Sequence, residues 1–274
     1  MTTTFIKTGR AFYGIGIIAF GMQQIIIRDF RPEILPPFPA WAHSYIFFPY
    51  ITGITLVIAG IIISGLLTIK ENIRKKICLY LGFYFLLLII ICHLPYNLIL
   101  GPNEAIHMGV WAPMLKELAY CGGAFVMAGS FENAFITGNN SSGQFFLEKL
   151  IAIGRIFFSI TMILYGYTHY LYTDFVSQLV PKWLGMPVFW TYFGGTALMC
   201  AGIGIMFKIW IKPIAMLLAI MIFLWFIFLH IPRAIATPYA GNGNEIVSAF
   251  DALLFSGVAL VISLTTRKHS LKNP

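Results

Sequence analysis

Eight apolar runs, each long enough to bridge a bilayer, leave this chain few folds to choose from. They fall near residues 11–27, 44–67, 77–99, 112–134, 151–171, 187–207, 213–232 and 246–265. A hydrocarbon core of roughly 30 Å takes about 20 apolar residues of helix. The runs are continuously apolar, whereas strands of a membrane barrel alternate. The expected fold is therefore all-α, a polytopic membrane protein of eight transmembrane helices. A soluble alternative fails on composition: 10% of the residues are charged and 59% hydrophobic, with mean hydropathy +0.83, where soluble domains carry about 25% charge.

The net charge of +8 takes its meaning from where the charges lie. Alternate threading of the eight spans gathers Lys7, Arg10, Lys70, Arg74, Lys75, Lys76, Lys149, Arg155, Lys208, Lys212, Arg267, Lys268 and Lys272 on one side. The other side holds most of the acids. The positive-inside rule then places both termini in the cytoplasm, and a bacterial inner (cytoplasmic) membrane is the expected location. The basic surface reads as a contact for anionic membrane lipids, not for nucleic acid. The N-terminal MTTTFIKTGR runs into a full span without a small-residue cleavage motif, so direct insertion is expected. Cys78, Cys92, Cys121 and Cys200 form no CxxC pair and read as packing residues.

A tandem duplication runs through the chain. GRAFYGIGIIAFGMQQIIIRDF (9–30) matches GRIFFSITMILYGYTHYLYTDF (154–175) without a gap at Gly9/Gly154, Arg10/Arg155, Phe12/Phe157, Gly21/Gly166, Asp29/Asp174 and Phe30/Phe175. YITGITLVIAG then answers YFGGTALMCAG, CHLPYNL answers LHIPRAI, and MLKELAYCGGA answers SAFDALLFSGV. The reading is a first four-helix unit over 1–136, a polar cytoplasmic linker over 137–150, and a second unit over 151–274. Four spans per unit make the repeat parallel, not inverted. The glycines read as close helix contacts. The proline-rich stretch 32–50 reads either as an outer cap or as a re-entrant element, and Arg28, Asp29, Arg31 and Glu33 as a solvated interfacial cluster.

Chemistry must come from the few polar residues at membrane depth. His93 and His230 end the third and seventh spans two residues before Pro95 and Pro232, which should kink or end each helix. Glu117 and Asp251 open the fourth and eighth spans, where a lone carboxylate is costly and needs a partner or water. Glu104 and Glu245 lie in the outer loops, placed to fold over the mouth of each bundle. Arg233, three residues after His230, is the expected partner for the second-half acid. Three readings stay open: His93–Glu117 and His230–Asp251 as structural locks, the same four as catalytic groups relaying protons at a quinone-type pocket, or metal or haem ligation. No metal site is assigned, because no tight His/Glu spacing is present.

The glycine at the outer end of each first span, the glycine-punctuated second span, the HLP and HIP ends of the third, and a last span with an acid followed by GG or SG together resemble the DoxX family of four-helix membrane proteins. At the polar or basic position after the first-span glycine the chain departs from the family, with Gln24 in the first half and His169 in the second; His169 stands with Arg233, Glu245 and Glu104 as a candidate ligand contact. The resemblance implies a four-helix bundle per half and association with membrane oxidoreductases, through quinone- or sulfur-linked chemistry. The expected function is a membrane subunit of a redox system with a polar site near the outer leaflet, the second half being the stronger candidate. The alternative is a non-catalytic scaffold or assembly partner for proteins of an envelope complex. A transporter comes third.

Overall fold

The structure, a computed structural model, describes residues 2–100, 107–131 and 142–266. Its helices are α1 (Thr2–Ile27), α2 (Ala40–His43), α3 (Phe47–Ser64), α4 (Glu71–Leu88), α5 (Met108–Ser130), α6 (Ser142–Leu171), α7 (Thr173–Leu179), α8 (Pro187–Met206), α9 (Ile211–Trp225), α10 (Ile231–Ala236) and α11 (Asn244–Thr265). No strand occurs among the described residues. Among the described residues, seven helical stretches are long and apolar enough to cross a membrane. They are Thr2–Ile27, Phe47–Ser64, Glu71–Ile99, Gly143–Leu171, Pro187–Met206, Ile211–Ala236 and Ala240–Thr265. The remaining long helix, α5, has 23 residues but contains Pro113, Lys116 and Glu117.

Two helices form the centre. From Ala119 to Ala128 every residue of α5 is buried, and from Ala249 to Ser263 α11 is buried except at Phe250. Helix α5 packs on α4, α6 and α11, while α11 packs on α1, α9 and α5. The outer pairs are α1 with α3 and α6 with α8. The first helix of each half therefore lies against the last helix of the other. Around this core the pattern is inverted relative to a soluble protein: Ile51, Ile54 and Ile58 on α3, and Leu217, Ile220 and Leu224 on α9, form exposed apolar stripes at helical spacing. Stripes of this size suit lipid and not water.

Lipid gives no hydrophobic drive between helices, so close packing must hold them. Helices α1 and α3 cross backbone to backbone at Gly14 and Gly60, where a Cβ on Gly14 would stand 2.6 Å from the Gly60 carbonyl oxygen. Gly9 meets Gly257 and Gly154 meets Gly122 in the same manner. Matching contacts recur elsewhere. Tyr13 donates to the Tyr120 carbonyl at 2.7 Å, and Phe158 meets the Phe255 ring at 6.2 Å. The Cys121 thiol donates to Gly82 O at 3.2 Å, and the Ser256 hydroxyl to Ala219 O at 2.9 Å.

The proline segments neither end the helices nor leave them simply kinked. A π-helical turn spans Ile89–His93 and another Phe226–His230, each closed by a bond from the next residue's N–H (Leu94, Ile231) to the carbonyl five positions earlier. The wider turn makes room where the ring of Pro95 or Pro232 would clash with the preceding turn. The second helix then continues through α10 to Ala236.

Candidate functional site

His93 leaves its π turn pointing into the core, where its Nε2 lies 3.0 Å from Glu117 Oε2, with both side chains essentially inaccessible. The backbone of Ile34 hydrogen-bonds the imidazole. The carboxyl is off the line of a good hydrogen bond, and neither Glu117 oxygen has another partner among the described residues. Burying a free carboxylate here would cost several kcal/mol, so the contact is best satisfied by one proton held between acid and imidazole. The expected pairing of His93 with Glu117 is thus present as a close contact.

The corresponding lock between His230 and Asp251 is not. Asp251 Oδ2 lies 2.9 Å from Lys116 Nζ, and its Oδ1 accepts a short hydrogen bond from the Tyr120 hydroxyl. Both partners come from α5, in the other half of the chain. The reason is helical phase. Lys116 stands six residues before Gly122 and Asp251 six before Gly257, the two glycines packed on Gly154 and Gly9. Lys116 and Asp251 therefore face each other across the α5–α11 contact, while Glu117, about 100° further round, faces its own α4. The sequence match that set Glu117 beside Asp251 was one residue out of register.

Lys116 also reaches Glu33 Oε1 at 3.1 Å, and Arg31 Nε stands 3.4 Å from Glu33 Oε2. Arg31 donates to the Asn242 carbonyl at 2.7 Å. The expected solvated cluster is thus split: Arg28 and Asp29 are exposed, but Arg31 and Glu33 are buried, because the α1–α3 connection turns inward at Ile34 and Leu35. Burial alone would raise the Glu33 carboxyl, but the adjacent Lys116 and Arg31 outweigh it and hold the group below the ordinary carboxylate value. A folded-state value below the unfolded one gives stability that is present above the unfolded value and lost as pH falls through the folded one. Thermal midpoints in detergent should therefore drop more steeply between about pH 5 and pH 3 for the wild type than for Glu33→Gln. Parallel curves would remove Glu33 from the acid response.

In the second half the connection does not turn inward: α7 and the turn Lys182–Leu184 contain no buried residue. Beneath them lies a cavity of about 560 Å³. Its walls are mostly apolar, including Trp183, Trp190, Trp225, Phe228, Leu198, Met162, Ile222 and Phe255, with Lys116, Tyr165, Thr168, His169, Thr191, His230, Ser248 and Asp251 as polar members. His169 Nδ1 donates to the Tyr165 carbonyl at 2.7 Å and its ring stacks near Trp225. The neutral ring consequently presents Nε2 as an acceptor. His230 Nδ1 is buried with no partner among the described residues. At the rim, exposed Trp183 meets Phe228 edge to face at 6.0 Å.

Arg233 and Glu245 fall outside the cavity walls. Arg233 pairs with Glu245, not with Asp251, through two bonds of 2.9 and 2.5 Å. Glu104 lies outside the described residues. No group of three or more His, Cys, Asp or Glu that could hold a metal occurs among the described residues. Sequence reasoning missed Lys116, Tyr120 and Glu33. The signal for Lys116 was available: a cation inside a long helix at membrane depth demands a buried anion, and adjacency to Glu117 ruled out only that one partner. No family model matches the chain, and neither does any curated protein or solved structure.

Proposed function

We propose that this chain is a DoxX-like inner-membrane protein of eight spans in two tandem units, with both termini cytoplasmic. On this reading it binds a quinone-type molecule in the second unit as the membrane subunit of a redox system. The observation that carries the reading is the 560 Å³ cavity, in the size range of small-molecule sites and built like them, with apolar walls and a few convergent polar groups. Its aromatic walls suit a flat ring. His230, Lys116 and the Tyr120-bonded Asp251 offer hydrogen bonds and a proton route to ring oxygens, while the rim beside Phe228 faces the lipid from which such a molecule would come.

Trp183, Trp190 and Trp225 line the cavity, so a decyl-substituted benzoquinone should quench the tryptophan fluorescence of the purified protein saturably. Ser248→Phe, which fills the cavity from α11, should weaken that binding by on the order of 10-fold or more. Unsaturable quenching, or equal affinity in the variant, would remove quinone from this cavity.

A further inference from the structure

The two imidazoles that end the π turns have unlike neighbours. His93 meets the carboxyl of Glu117, while His230 lines the cavity with its Nδ1 unpartnered among the described residues. Counting from the packed glycines Gly122 and Gly257, the residue equivalent to Glu117 is Ala252, which lines the cavity as well. A side chain that occupies this place in the first half is thus cut back to a methyl group in the second.

From this we infer that Glu117 is a built-in stand-in for the ligand, and that in the second half an oxygen of the bound molecule takes the place of the missing carboxyl, above Ala252 and against His230. The inference rests on the cavity reading proposed above and adds the position of the head group. The lining supports it: His230 and Ala252 both border the cavity, so the place that a carboxyl fills beside His93 opens into it. It also explains the emptiness of this half. The first half fills the matching region with Glu117 and with Ile34 and Leu35 of its inward-turning connection, all buried. His230 is therefore the anchor for the head and Ala252 the residue that keeps its place open.

The test uses the full-length protein in lipid nanodiscs and two probes of equal tail length, decylbenzoquinone read by quenching and decylbenzene read by displacement of it. His230→Phe keeps the volume but not the donor. It should weaken decylbenzoquinone by on the order of 10-fold and leave decylbenzene unchanged, with His230→Gln restoring most of the quinone affinity. Ala252→Glu rebuilds the first-half pair and should exclude both probes while the thermal midpoint is kept. If His230→Phe alters both probes equally or neither, or if Ala252→Glu binds like the wild type, the head is not at His230, although the cavity reading survives. If neither probe binds the wild type, the cavity reading itself fails and this inference with it.

Discussion

Lys116→Met should lower the thermal unfolding midpoint of the purified protein by roughly 10 °C. Its amine holds Asp251 at 2.9 Å and Glu33 at 3.1 Å, and both acids are buried. Removing one member of a buried ion group costs about 3–5 kcal/mol, because the opposite charge is left behind without a partner. In a chain of this size each kcal/mol moves the midpoint by about 2–4 °C. The triple variant Lys116→Met, Glu33→Gln, Asp251→Asn, which removes charge on both sides, should recover much of the loss. A Lys116→Met midpoint within about 2 °C of the wild type would show that the network adds nothing to stability.

The second large effect belongs to a glycine. Gly14→Leu should prevent accumulation of folded protein, since even its first carbon would stand 2.6 Å from Gly60 O and 2.6 Å from Ser64 N. Both are backbone atoms, so no side-chain rotation relieves the contact, and α1 must move off α3. Inserting bulk into a well-packed contact costs about 1–3 kcal/mol, and more where the backbone must shift. Membrane fractions should contain little folded Gly14→Leu, whereas Ile54→Leu, on the lipid-facing stripe of the same α3, should be present at the wild-type level. Equal yields of the two would show that the crossing tolerates separation.

The all-helical class was legible because length and continuous apolarity dictate it, and the pairing of His93 with Glu117 because acid and base at one depth on successive spans have few other partners. Helical phase was harder. A one-residue slip in matching MLKELAYCGGA to SAFDALLFSGV turns a side chain by about 100°, and apolar helices tolerate such slips on paper because most positions are interchangeable. The slip hid the Lys116–Asp251 pair and suggested a His230–Asp251 bond in its place. Arg31 and Glu33 were misread for another reason: charge near a span end usually snorkels to water, and only the inward turn at Ile34 takes these two beneath the surface. The cavity had no sequence signature, because Ala252 and the shallow α7 connection differ from the first half by what they lack.

The exchange of partners at the centre bears on biogenesis. Gly9 of α1 packs on Gly257 of α11, and Arg10 donates to Ser130 at the end of α5 while lying 3.8 Å from Glu71. Helix α1 cannot complete its packing until α11 has been made. A chain cut between Phe131 and Ser142 would yield two pieces, each lacking the helix on which its own first span should rest. Neither fragment is then a miniature of the protein. Each should recover its packing only by finding the other, or a second copy of itself, in the plane of the bilayer.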